Sequence, residues 1–149
     1  MTTTRKALAN VDPATIWRTC FVPMKWETWD PDVNKLENVK GGCTEGATFD
    51  YVMKDGMRAK ATLSDVVENR SLTFSGSLMG GLVGFQGILR LIPKDDANTE
   101  IEYEFGMKGF LGSIAGYFSK TKIVHGVEEG LRRIVNIAEA SGGAATGHS

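Results

Sequence analysis

The chain has 149 residues, 42% of them hydrophobic, which suffices for one domain with a real core and is too short for two comfortable ones. Its 17 Lys and Arg against 18 Asp and Glu give a formal net charge of -1, so nothing in the balance points to nucleic acid or to an anionic membrane surface. No basic segment leads into an apolar run at the N-terminus and no apolar stretch has spanning length, so the chain is expected to be cytoplasmic, with no stable membrane insertion.

Thr2 to Ala9 has the threonine content and length of a first strand. Asp12-Pro13 then supplies an N-cap with proline at the first helical position, predicting a short helix through Ile16, Trp17 and Cys20 that Pro23 stops. Lys25 to Asp30 makes a second short helical turn before Pro31 forces its predecessor to be extended. A strand from Val33 to Val39 and the glycines Gly41, Gly42 and Gly46 come next. Phe49, Tyr51 and Met53 then alternate up to Asp55-Gly56, a dipeptide typical of hairpin turns. Met57, Ala59, Ala61 and Leu63 line the returning strand. After a turn at Glu68-Asn69-Arg70, Leu72 and Phe74 share a face, and Gly80-Gly81 breaks the chain before Phe85, Gly87, Leu89 and Leu91. Pro93 to Asn98 connects to a last strand, Thr99 to Met107. Ile101, Tyr103, Phe105 and Met107 take one face of that strand and Glu100, Glu102 and Glu104 the other, the pattern of a half-buried strand.

From Ser113 to about Ala140 there is no proline and the spacing turns helical, with Val124, Val127, Leu131, Ile134 and Ala138 as the buried stripe. The small, glycine-rich end reads as a flexible tail, giving one domain over residues 1–140 and a tail over 141–149. Gly130 lies beside the stripe, where it is expected to permit close approach to the sheet or a gentle bend over the cavity, so that Gly130→Ala destabilises. A sheet with one wet face thus ends in one long helix. A single helix cannot cover a wide curved sheet completely, so a hollow between them is expected.

Several of these features occur together in one superfamily. Trp26-x-x-Trp29-Asp30-Pro31 after a Pro-capped helix, Gly46 opening a hairpin, Pro93 to Thr99 before the last strand, and the ending Leu131-x-x-Ile134 to Glu139 resemble the SRPBCC superfamily. Within it the likeness is to the polyketide cyclase/dehydratase and lipid-transport group, related to START domains and to the birch pollen allergen fold. The resemblance spans residues 2 to 140 and speaks to fold more than function. It implies an α+β helix-grip fold: a curved antiparallel β-sheet of about seven strands, with two short helices, wrapped around a long C-terminal helix and enclosing an internal cavity for apolar ligands.

The inward positions supply the candidate site. Phe49, Tyr51, Met53, Met57, Phe74, Phe85, Tyr103, Phe105 and Met107 alternate onto the cavity face, and with Trp29 and Tyr117 they form the expected ligand-binding set. Trp17 and Trp26 are assigned to packing of the short helices against the sheet. The phenols of Tyr51 and Tyr103 point inward, where each must find a partner, so they can orient a ligand carbonyl or act as weak acids. His125 is the only histidine outside the tail, and histidine is the natural acid or base near neutral pH. At 100° per residue it falls about 100° from the centre of the stripe, on a flank. Tyr51, Tyr103 and His125 are therefore the catalytic candidates.

Glu128 is expected to be exposed, paired with Arg132 one turn on. Arg58, Lys60 and Arg90 alternate to solvent, so the cavity arginine that the resemblance implies for cyclases is missing here. The glycines around Gly84 precede no helix and carry no Lys-Ser/Thr ending, so they make no phosphate loop. Cys20 and Cys43 lack metal or redox spacing and are expected to be free thiols, and no set of residues has metal-ligand or nucleophile-triad spacing.

Three functions fit: a carrier whose cavity holds a lipid, isoprenoid or aromatic or polyketide metabolite; a cofactor-independent cyclase or dehydratase in which Tyr51, Tyr103 or His125 moves protons; or an interaction module using the outer sheet face or the glycine-rich loops around Gly80. The Glu-rich outer face argues against the last. The first asks only for the inward apolar set and is the expected one, with an apolar small molecule as partner, neither metal nor cofactor, and a monomer or weak homodimer as the assembly.

Overall fold

The computed structural model describes residues 2–109 and 119–146. Tyr117 and the first turns of the helix expected from Ser113 lie outside these residues. Seven strands, β1 (Thr2–Ala9), β2 (Val33–Lys40), β3 (Thr48–Met53), β4 (Arg58–Val67), β5 (Ser71–Leu78), β6 (Val83–Asp95) and β7 (Asn98–Gly109), form one sheet in the order β1-β7-β6-β5-β4-β3-β2. Every neighbouring pair is antiparallel. The helices are α1 (Pro13–Ile16), which runs into a π-helical turn over Trp17–Phe21, a 3-10 turn over Pro23–Thr28, and α2 (Lys120–Thr146). This is the helix-grip architecture that the resemblance implies.

Register irregularities in β2–β3, β4–β5 and β6–β7 add local twist, which bends a seven-stranded sheet around a helix. At one of them Asp65 adopts φ 51°, and the Glu45 carboxylate accepts hydrogen bonds from the Asp65 and Val66 N–H groups at 3.1 and 3.0 Å. The outer face carries a ladder of cross-strand charges: Lys6 with Glu100 and Glu102, Arg90 with Glu102 and Glu104, Lys94 with Glu100. Arg58 and Lys60 are exposed, and Arg58 pairs with Glu37. The register is therefore the one the alternation predicts.

Across the inner face of β5 and β6, Phe74 pairs with Gly87 and Phe85 with Gly76. A Cβ at Gly87 would lie 2.0 Å from the Phe74 ring, and one at Gly76 would lie 2.0 Å from the Lys60 carbonyl oxygen and 2.8 Å from the Phe85 ring. Only glycine at these two positions leaves room for the facing rings, and the rings in turn cover the bare backbone. Two aromatic faces are thereby fixed toward the space under α2.

The largest fully buried side chains, Trp26 and Trp29, belong to the short turns that pack on the sheet. Trp17, Phe21, Trp26 and Trp29 are buried there with Leu131, Ile134 and Ala138 of α2. Of the expected stripe, Val127, Leu131, Ile134 and Ala138 are buried and Val124 is half-buried.

Local boundaries depart from expectation in three places. The Asp12 side chain makes no cap bond and accepts the Thr15 hydroxyl instead, so α1 is only one turn long before the backbone widens into the π-helical turn. β6 continues through Pro93 to Asp95, because β5 begins at Ser71 opposite Arg90 and leaves that end of β6 an edge that proline tolerates. Finally, α2 runs past Ala140 to Thr146. Its end is held by the Glu139 carboxylate, which accepts the Asn10 N–H at 2.9 Å, and Gly142 sits so close to Val11 that a Cβ would be 2.4 Å from it.

Candidate ligand-binding cavity

Between the sheet and the N-terminal part of α2 lies a cavity of about 630 Å³, within the range of small-molecule sites. β5 and β6 contribute Phe74, Leu78 and Phe85, and β7 contributes Tyr103, Phe105 and Met107. Tyr51 and Met53 come from β3, Ile123 and Val127 from α2. The wall is one aromatic surface: Tyr51 to Phe85 at 5.9 Å, Phe74 to Tyr103 at 6.5 Å, Phe85 stacked on Phe105 at 6.4 Å. At the mouth stand Asp30 and Asp32, Lys54 and Asp55 of the β3–β4 turn, and Thr121, Lys122, His125 and Gly126 of α2.

Strand alternation thus brings Tyr51, Met53, Phe74, Phe85, Tyr103, Phe105 and Met107 together. It does not bring Trp29, Phe49 or Met57 to the cavity wall. Trp29 is buried with its indole N–H donating to the Cys20 carbonyl at 2.7 Å and its ring beneath Gly130. Phe49 is sealed by the edge-on ring of Trp26 at 5.1 Å, and Met57 sits half-buried beside the hairpin turn. Trp29 and Phe49 pack into the tryptophan cluster and Met57 lies beside the β3–β4 turn, positions that periodicity does not encode. His125 is exposed at the rim, on the flank that helical phase gives it. Glu128 is exposed as expected, but Glu129 rather than Glu128 pairs with Arg132 and also with Arg133.

The polar chemistry is concentrated in three groups. Tyr51 and Tyr103 are 4% and 5% exposed, and neither phenol makes a hydrogen bond with any described residue. Thr3 Oγ1 is the one fully enclosed side-chain oxygen or nitrogen without a partner among the described residues, so the two unpartnered phenol oxygens must open onto the cavity. Burial first, and then the charge of Asp30, holds both phenols well above their ordinary pKa, so both remain donors at physiological pH.

The third group, Asp30, was read in the sequence only as part of a turn. It is half-buried, and its Oδ1 accepts the Asp32 N–H at 3.0 Å while Oδ2 accepts no hydrogen bond from a described residue. Burial pushes its carboxyl up to about 6, and the Asp32 charge adds to this; the Asp32 N–H, Arg133 and Lys54 oppose it. The signal that could have found it is Asp30-Pro31-Asp32 directly after the buried Trp26-x-x-Trp29, which anchors the loop beside the cavity. Cys20 and Cys43 are free, and burial pushes both thiols up to about 11, which makes them poor nucleophiles. Among the described residues no cluster of metal-ligating side chains occurs, and no helix is long and apolar enough to cross a membrane.

An antiparallel sheet gripping one helix around an apolar hollow defines the helix-grip class of cavity proteins. Residues 1–139 match the family described as polyketide cyclase / dehydrase and lipid transport, and the chain belongs to that family. No curated protein matches it in sequence. Among solved structures it is similar to the di-domain ARO/CYC StfQ from the steffimycin biosynthetic pathway, at 11% identity and a TM-score of 0.75 over 95% of this chain and 51% of that one. It is also similar to the di-domain ARO/CYC BexL from the BE-7585A biosynthetic pathway, at 10% identity and 0.71 over 93% of this chain and 46% of that one. Protein MLL2253 from Mesorhizobium loti is matched at 15% identity and 0.73, over 94% of this chain and 98% of that one. These likenesses show the fold.

Proposed function

We propose that this protein binds an apolar small molecule bearing a carbonyl or hydroxyl oxygen, such as a lipid, isoprenoid or aromatic polyketide-type metabolite, in the cavity beneath α2. The observation that carries this reading is the pair of buried phenols, without a hydrogen-bond partner among the described residues, opening onto an apolar space of about 630 Å³. A buried polar group without a partner costs about 1–3 kcal/mol, and a ligand oxygen accepting from Tyr51 or Tyr103 removes that cost. Affinity then comes mostly from apolar area at about 25 cal/mol per Å². A second reading, a cyclase or dehydratase, is supported by Asp30, which stands at the mouth of the same cavity with its carboxyl pushed up to about 6 by burial. The ARO/CYC description of StfQ and BexL agrees with either.

Two measurements test the binding reading. Mass spectrometry of small molecules carried through native purification should reveal a bound apolar compound. An apolar fluorescent probe should bind with low-micromolar affinity, roughly 8 kcal/mol, and be displaced by that compound. A protein that carries nothing and binds no apolar probe up to millimolar concentration defeats the proposal.

A further inference from the structure

We propose that the cavity selects an apolar ligand carrying a protonated amine, whose ammonium group is held at the mouth by the carboxylates of Asp30 and Asp32. The inference rests on the binding reading and adds a ligand charge to it. The apolar body fills the hollow, and the cationic end stays at the entrance.

The backbone sets both carboxylates in place. The Asp30 N–H donates to the Trp26 carbonyl at 2.9 Å, and the neighbouring Trp29 indole is tied to the Cys20 carbonyl. The Asp32 N–H donates to Asp30 Oδ1 at 3.0 Å, while the Asp32 carbonyl accepts the Lys54 N–H at 3.1 Å, which joins this loop to the β3–β4 turn. On the helix side, a Cβ at Gly126 would stand 3.0 Å from Asp32 Oδ2, so the missing side chain makes room for the carboxylate. Both aspartates line the cavity.

What sets them apart from the other acids is the lack of a counter-ion. On the outer face Glu100, Glu102 and Glu104 are matched by Lys6, Arg90 and Lys94, and Glu37 by Lys35 and Arg58. Neither Asp30 nor Asp32 forms an ion pair among the described residues. Arg133, the nearest arginine in electrostatic effect, is taken by Glu129 at 3.0 Å, and Asp55 and Lys122 at the mouth are each engaged with neighbours. A half-buried carboxylate without a cation is costly, and an ammonium ligand supplies the missing charge.

A second observation marks the same space as a ligand site. The phenols of Tyr51 and Tyr103, 4% and 5% exposed and without a hydrogen-bond partner among the described residues, line it beneath the aspartates. Burial raises both phenols, and the charge of Asp30 adds to this at both and that of Asp32 at Tyr103, so the carboxylates act on the phenols across the cavity.

Burial also pushes the Asp30 carboxyl up to about 6; the Asp32 charge adds to this, and the Asp32 N–H, Arg133 and Lys54 oppose it. The groups facing it are Asp32 from its own loop, Lys54 from the β3–β4 turn, Arg133 from α2, Tyr51 from β3 and Tyr103 from β7, with Asp55, Lys122 and His125 around the mouth. Only ionised Asp30 attracts an ammonium, so the preference for a cation should grow as pH rises through about 6.

The test titrates the full chain with three probes of one shape, α-naphthylmethylamine, α-naphthylmethanol and α-naphthoate, followed by protein NMR shifts. At neutral pH the amine should bind about 10-fold more tightly than the alcohol, and the carboxylate most weakly. The advantage of the amine should shrink as pH falls through about 6. Asp30→Asn combined with Asp32→Asn should bring the amine down to the alcohol and strengthen the carboxylate. An alcohol that binds the native chain as tightly as the amine, or a carboxylate that binds best, overturns the ammonium preference and leaves the binding reading standing. Failure of all three to bind up to millimolar concentration overturns both. An advantage of the amine that survives in the double variant places the ammonium elsewhere and also overturns the proposal.

Discussion

The two ends of the hollow under α2 are built from the same residue types and treat polar atoms in opposite ways. At the closed end, the indole N–H groups of Trp26 and Trp29 donate to the carbonyls of Phe21 and Cys20 at 2.6 and 2.7 Å, and the Thr99 hydroxyl donates to the Val11 carbonyl at 2.8 Å. Leu131, Ile134 and Ala138 fill the remaining space. At the open end, two phenols and a carboxylate oxygen have no hydrogen-bond partner among the described residues, although their surroundings are just as aromatic. The difference separates the part of the core that supports the fold from the part kept ready for a ligand. Trp26 belongs to both, since it contacts Phe49 on one side and Tyr51 and Phe74 on the other at 5.9 and 4.9 Å.

If that division is right, truncation at the closed end should have the largest effect on stability. Trp26→Ala should cost about 3–5 kcal/mol in urea unfolding, because it removes a fully buried ring from the centre of the cluster. A loss under 1 kcal/mol would show that the closed end is not the support we describe.

The next effect is opposite in sign and sits at the open end. Asp30 binds its proton more tightly folded than unfolded, so its contribution to stability is present below about pH 4 and is lost as pH rises through about 6. Asp30→Asn should therefore stabilise the fold at pH 7 by about 1–2 kcal/mol, allowing for solvent at the mouth, and the gain should vanish toward pH 4. Thermal melts at the two pH values check this; destabilisation at pH 7 would contradict it. A residue that weakens its own fold is a mark of a site kept for function.

Tyr103→Phe sharpens the contrast from the ligand's side. Removing this hydroxyl should raise stability by about 1 kcal/mol, the low end of the cost of an unmet buried donor, yet weaken an oxygen-bearing apolar ligand about 10-fold by isothermal titration. Loss of stability without loss of affinity would return the phenol to the structural core.

Gly130 gives the smallest effect and a revised expectation. A Cβ there would meet the Trp29 ring at 3.4 Å and Tyr103 at 3.7 Å, ordinary contact distances. The close approach expected from the sequence is present, but it leaves room for a methyl group. Gly130→Ala should thus raise stability by up to about 1 kcal/mol through helix propensity, the reverse of the destabilisation that mid-helix glycine suggested. A lower melting temperature would restore the first view.

The legible parts of the site are those that period alone encodes. Strand alternation placed Tyr51, Phe74, Phe85, Tyr103, Phe105 and Met107 on the cavity face, and helical phase placed His125 on a flank. Period says which face a residue takes but not how far along the strand the helix covers it, so Phe49 and Met57 were grouped with residues that reach the cavity. Asp30 was missed because loop residues have no period: its position depends on two tryptophans anchored to the π-helical turn, a contact that is not local in sequence. The pairing of Phe74 and Phe85 with Gly87 and Gly76 was equally hidden, since it depends on the register between two strands.

Backbone amide chemical-shift mapping during titration with an apolar ketone tests the central claim most directly. The account predicts saturable shifts confined to the strands and helix segment around Tyr51, Phe74, Phe85, Tyr103, Met107 and Val127, and small shifts around Trp17, Phe21 and Ile134. Shifts spread over the outer charged face of β1, β6 and β7, or none at all up to millimolar ketone, would contradict it.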